Sequence, residues 1–340
     1  MTTMNTLVCL EPKQMAYQTR NKPQPAAGEA LLKIISAGIC GTDIHAWGGN
    51  QPFFSYPRVL GHELCGEVVE LGEGVSGWKV GQRAAVIPYL SCEQCSACLS
   101  GKTNCCENIS VIGVHQDGGF CDYLSVPVKN LLSAEGIDPD AAALVEPFAI
   151  SAHAVRRAAP EPGSNLLVVG AGPIGLGVAA IAHASGANVV VADTSEFRRQ
   201  HVEQNLKLVA LDAAAEDFPQ QLRDQFNGQL PSTVIDATGN AAAMNGAVRL
   251  MAHGGTLVFV GLHKGDIQIP DPEFHKKETT LMGSRNATRQ DFERVASLMA
   301  DGKITAEMML NQCFEFAALA EIFEQQVINN RGLIKGVIRF

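Results

Sequence analysis

The sequence predicts an α/β protein of two domains: a β-rich domain first, then a doubly wound nucleotide-binding domain on a parallel sheet. Three observations carry this. Short apolar runs broken by Gly and Pro fill the first third of the chain, the texture of a strand-rich domain. Near Glu146 the pattern changes to apolar strands alternating with helical stretches. Just past that change the turn Gly170-Ala171-Gly172-Pro173-Ile174-Gly175 joins a strand-length apolar run to an apolar helix. With 340 residues, the chain is long enough for two separate cores.

Composition excludes several classes. At 46% hydrophobic and 18% charged residues the chain is neither disordered nor fibrous. A net charge of −9 with no Lys/Arg cluster excludes nucleic acid as an expected partner. Met1 to Leu10 lacks the basic start and apolar centre of a signal peptide, and no apolar run is long enough to span a membrane. A cytoplasmic location without a membrane partner is the expectation. Ten Cys, five of them between Cys92 and Cys106, suggest metal rather than a secreted disulfide scaffold.

In the first domain, residues 6–10, 30–37, 65–71, 83–89 and 120–127 read as short strands of an irregular barrel. Between two of them lie Cys92, Cys95 and Cys98, followed by Cys105 and Cys106. Two-residue gaps let successive thiolates face one ion, and either later Cys could complete a tetrahedron. Four thiolates leave no open position, so this zinc would be structural. Residues 38–63 are different, since they offer Cys40, Thr42, Asp43, His45, His62 and Glu63 in one Gly-rich stretch. Cys40, His62 and Glu63 suit a catalytic zinc, which needs about three protein ligands and one open position. A buried Cys and a hydrogen-bonded His are the structural alternative.

In the second domain, residues 165–170 form a strand, and a helix runs through Ala184. Gly170 permits the tight turn, Gly172 lets backbone approach a pyrophosphate, and Gly175 lets helix pack on strand. Pro173 and Ile174 open the helix, whose N-terminus faces the phosphates. The next strand, 188–192, ends at Asp193, which can accept hydrogen bonds from ribose hydroxyls and would repel a 2′-phosphate, favouring NAD. Arg198 and Arg199 pull toward NADP but fall on the following helix. Strands at 233–236 and 256–260 continue the alternation with helices at 215–226 and 241–252, and place Thr238, Val260 and Gly261 as further cofactor candidates. Helices at 289–300 and 316–327 and a closing strand at 336–340 return to the first domain. The expected boundaries are 1–146 with 287–340, and 147–286.

With Cys40, Thr42, His45, Gly61-His62-Glu63, the four-Cys loop and the Gly170–Gly175 turn in this order, the whole chain resembles the zinc-dependent medium-chain dehydrogenases. That resemblance implies a GroES-like catalytic domain made from both chain ends, a Rossmann domain between, two zinc ions and NAD. It selects Cys106 as the fourth structural ligand and places Glu146, with Glu63, at the remaining catalytic position, the pattern of the sorbitol and threonine dehydrogenase branch. Asp43 would orient the His62 ring. Thr42 would take the substrate proton and His45 pass it to water, while homodimers or homotetramers are implied for the assembly. A narrower likeness runs from Cys40 through His45, Trp47 and Phe53 to Pro57, then over residues 111–119 and 282–287, and points to bacterial sugar-acid dehydrogenases. It implies oxidation of a secondary hydroxyl on L-galactonate or its relative L-gulonate. A polyol or threonine dehydrogenase, or a regulatory NAD(H)-binding protein, are the competing readings. An aldonate carboxylate needs a cation if it is buried, and Arg285, after the last strand, is the leading candidate, with His115 and Trp47 as weaker ones for the pocket.

Overall fold

The computed structural model describes residues 2–50 and 54–340, so Phe53 lies outside the described residues. It divides into two compact units: Met1–Glu146 with Thr288–Asp301 and Leu310–Phe340, and Pro147–Ala287 with Gly302–Met309. The last segment, expected with the first domain, belongs to the second. There the His201 ring lies 3.1 Å from the Met308 carbonyl and ties the segment down.

In the first unit the strand Glu29–Ile39 is central, flanked by Glu63–Leu71 on one side and by Tyr123–Pro127 and Gly336–Arg339 along its length. Register shifts near Leu31 and Ile34 interrupt the ladder with Glu63–Leu71. Such bulges bend a strand and increase its twist. The core gathers Leu7, Leu32, Trp47, Phe120, Phe314 and Phe323 from both chain ends, which is why the C-terminal segment folds back here. Strand Gln14–Asn21 was not expected. It is polar and mostly exposed, pairs among the described residues only with Thr3–Glu11, and so carries no apolar alternation to read.

The second unit is a six-stranded parallel sheet in the order Val209–Asp212, Asn188–Asp193, Asn165–Val169, Thr233–Asp236, Thr256–Phe259, Thr280–Gly283. By chain order that is 3-2-1-4-5-6, the dinucleotide-binding arrangement whose crevice opens between the first and fourth strands. Its central strands are apolar throughout because helices cover such sheets on both faces. Strand Val209–Asp212 escaped the sequence reading because four residues after a turn give too short a run. No described helix is long and apolar enough to cross a membrane.

Candidate active site and metal centres

Cys40 ends the central strand and caps the helix Gly41–Trp47, a helix hidden in the sequence by its Gly-rich start. The turn is fixed by Asp43, which is fully buried. Its Oδ2 accepts from the Cys40 amide at 2.9 Å and its Oδ1 from the Gly61 amide at 3.2 Å. One carboxylate therefore ties together the two backbone segments that present Cys40 and His62. Its distance to His62 Nδ1 is 3.9 Å, beyond a hydrogen bond, so Asp43 acts on the ring by charge and through the backbone.

His62 and Glu63 enter the strand Glu63–Leu71, and Glu63 sits directly across from Gly38. The approach is close enough that a Cβ on Gly38 would fall 1.9 Å from Glu63 Oε2. Glu63 Oε1 accepts from Lys335 Nζ at 2.5 Å, and the same ammonium donates to the Ile39 carbonyl at 2.9 Å. Lys335 and Glu63 have side chains 2% and 1% exposed. Burial works against the Lys335 charge, yet Glu63 and then Cys40 hold its ammonium above the usual lysine range. Sequence reasoning missed Lys335. It arrives because Gly336–Arg339 pairs with Glu29–Ile39, Gly336 opposite Ile39.

Glu146, in the first turn of the helix Val145–Ala158, is 2% exposed, and the Tyr89 hydroxyl donates to its Oε1. Burial pushes its carboxyl up to about 7, opposed by His62 and reinforced by Glu63. Burial alone would push His62 down, but Cys40, then Asp43 and Glu146, hold the ring well above its ordinary range. Tyr89 was also missed, since nothing local to its strand Tyr89–Leu90 marks it.

The donor atoms of Cys40, His62 and Glu63 lie within 4.8 Å of one another. Three buried atoms here have no hydrogen-bond partner: His62 Nδ1, Glu63 Oε2 and Glu146 Oε2. Buried polar atoms are rarely left so, and a soft thiolate, an imidazole and a carboxylate around a negative centre fit a zinc ion. Thr42 and His45 stand three residues apart on the adjoining helix, hence on one face, Thr42 half-buried and His45 exposed.

The second thiolate group is Cys92, Cys95, Cys98 and Cys106, again with sulfurs within 4.8 Å, while Cys105 is exposed and outside it. The Cys92 amide donates to Cys106 Sγ at 3.2 Å. Amides of Gln94 and Cys95 pull the Cys92 thiol down to about 6, favouring the ligating thiolate. Four sulfurs fit a closed zinc site.

In the second unit Gly170 has φ +97°, and a Cβ on Gly175 would fall 1.7 Å from the Gly170 carbonyl, so helix and turn meet with no room for a side chain. Above Gly172, the cap of the helix Pro173–Ala184, the nearest atom to such a Cβ is Arg198 Nη1 at 4.0 Å. Backbone there is open to a phosphate, with Arg198 beside it. The Asp193 carboxylate accepts from the Ala171 amide at 2.7 Å and the Ser195 amide at 2.8 Å, and lies 3.8 Å from Arg198. Arg199 is committed to the Asp193 carbonyl at 2.9 Å. Thr238 Oγ1 donates to Asp236 at 2.8 Å, and the Val260 and Gly261 amides both donate to the Asp236 carbonyl, so these candidates stand together at the carboxyl ends of the strands.

The substrate candidates fare unevenly. Arg285 is exposed just past the strand Thr280–Gly283. His115 is exposed, and its Nδ1 accepts from the Val111 amide at 3.0 Å. Trp47 is 6% exposed and packs on Phe323, ring centroids 6.1 Å apart. Its place in the core accounts for it without a substrate role.

Comparison with known proteins agrees with this site. Residues 26–136 match the alcohol dehydrogenase GroES-like domain and residues 173–301 the zinc-binding dehydrogenase family. The chain is 68% identical to L-galactonate-5-dehydrogenase of Escherichia coli K12, over all of both chains. It is 32% identical to sorbitol dehydrogenase of Halalkalibacterium halodurans, over 87% of each. A crystal structure of an alcohol dehydrogenase from E. coli CFT073 complexed with NADH superimposes with a TM-score of 0.93 at 31% identity, covering 100% of each chain. The chain belongs to the zinc-dependent medium-chain alcohol dehydrogenases, a family of nicotinamide-linked oxidoreductases.

Proposed function

We propose that this chain oxidises the C5 hydroxyl of the aldonate L-galactonate to D-tagaturonate and reduces NAD. The observation that carries the reading is the 68% identity to the E. coli enzyme over all 340 residues. The grouping of Cys40, His62 and Glu63 donors supports it.

When bound, zinc supplies Lewis acidity that lowers the pKa of the substrate hydroxyl, and NAD accepts the hydride. Cys40, His62 and Glu63 would hold the metal. Glu146, held through one oxygen by Tyr89 with the other left unpartnered, would share the metal position of Glu63, directly or through water. Thr42 Oγ1 would accept the proton of the substrate hydroxyl while handing its own on through the cofactor ribose toward His45. His45, on the same helix face and exposed, delivers it to water. Asp193 favours NAD, its charge opposing a 2′-phosphate. Arg285 is the proposed partner of the aldonate carboxylate, a bidentate acceptor that matches the guanidinium fork.

Arg285→Ala tests that last assignment. The expected result is a KM for L-galactonate raised about tenfold or more, the loss of one charged hydrogen bond, with the KM for neutral sorbitol little changed. Equal losses on both would refute the carboxylate role. We further infer a homodimer or homotetramer, because the sheet edge Thr280–Gly283 is mostly exposed and carries Leu281 at 38% exposure. Light scattering that returned a monomer mass would contradict it. A cytoplasmic location goes with ten Cys of which none is paired in a disulfide among the described residues.

A further inference from the structure

A second concave site lies in the nucleotide-binding unit, at the opposite end of its sheet from the Gly170–Gly175 turn. A cavity of about 570 Å³ opens where the chain enters the strands Thr233–Asp236, Thr256–Phe259 and Thr280–Gly283 at their amino ends. Arg223, Arg249, Lys276 and Lys277 line it together with His253, and Glu273 is the one carboxylate in the lining. This is a concentration of positive charge on a chain whose net charge is −9.

The charges are not spent on one another's neighbours. Arg223, Arg249 and Lys276 have no ion-pair partner among the described residues. Lys277 is 6% exposed and anchored, its Nζ donating to the carbonyls of Val248 at 2.9 Å, Arg249 at 3.1 Å and Met251 at 2.7 Å. Three bonds exhaust an ammonium's donors, so Lys277 contributes charge to the cavity and no further hydrogen bond. Burial lowers its affinity for a proton, and Arg223 and Lys276 add repulsion that Glu273 opposes. A nearly buried cation among cations is an electrostatic cost that an anion in the cavity would relieve.

We propose that this cavity binds a compact anion with two or more negative charges, of the phosphate-ester or diphosphate class. Two guanidinium forks and an exposed ammonium match such oxygens, and the volume suits a small metabolite rather than a bare ion. The site is separate from the cofactor's pyrophosphate cradle, which lies at the carboxyl ends of the strands.

The test is calorimetric titration of the full-length, zinc-loaded enzyme with inorganic pyrophosphate, in the presence of saturating NADH so that the cradle at Gly172 is filled. The expected result is saturable binding of one pyrophosphate per chain. Arg249→Gln and Lys276→Gln should each weaken it by about tenfold, the loss of one charge-assisted hydrogen bond, while Lys79→Gln on the other unit leaves it unchanged. Absence of saturable binding, or equal affinity in all four proteins, would overturn the site. Citrate binding as tightly as pyrophosphate would overturn the phosphate class.

Discussion

Replacing Lys335 by Met leaves the Glu63 carboxylate buried without its cation and the Ile39 carbonyl without its donor. Both side chains of the pair are almost fully buried, 2% and 1% exposed, so water cannot take the place of the ammonium. Removing one member of such a pair costs about 3–5 kcal/mol. That is a large share of the roughly 5–15 kcal/mol that holds a domain folded. Zinc beside Glu63 would offset part of the lost charge, so the loss should be larger in zinc-free than in zinc-loaded protein. Tryptophan fluorescence during urea unfolding reads the relevant unit selectively, because Trp47 and Trp78 both lie in the first. Should zinc-free Lys335→Met unfold within about 1 kcal/mol of the parent, the change would be no more than an ordinary substitution costs and the buried-pair reasoning would be wrong.

Three further outcomes are expected. Gly38→Ala puts a methyl where Glu63 Oε2 lies, 1.9 Å away, so a chelator should strip the catalytic zinc faster while the four-Cys zinc stays; unchanged release kinetics would contradict the packing. Cys98→Ser should reduce zinc, measured by metal analysis, from two ions per chain to one, and a variant retaining both would remove Cys98 from the structural set. His201 is held neutral, its pKa lowered by burial and only partly restored by the Met308 carbonyl. The unfolded chain therefore binds the extra proton first, and stability present above the unfolded value of about 6.5 is lost as pH falls through the folded pKa. His201→Gln should flatten that part of the melting-temperature profile; an identical profile would exclude His201 as its source.

What the sequence made legible was whatever lies close along the chain. The Gly170–Gly175 turn carries its strand before it and its helix after it, and four Cys within one loop announce their own geometry. Cys40, His62 and Glu63 fall within 24 residues of one Gly-rich stretch and could be read as a set. Lys335 and Tyr89 could not, because they reach Glu63 and Glu146 through strand pairing and packing across 272 and 57 residues. Trp47 shows the reverse limit. Its neighbours in sequence are site residues, yet its ring belongs to the core formed with Phe323 near the other end of the chain. Asp43 accepts from two backbone amides, an arrangement that depends on a turn that spacing alone does not specify.

The most direct measurement is NADH absorbance with zinc-loaded protein and NAD, offered L-galactonate, L-gulonate, sorbitol and L-threonine side by side. Turnover of L-galactonate well above the other three is the predicted result. Turnover confined to sorbitol or L-threonine would contradict it, leaving the metal site in place but removing the sugar acid as its substrate.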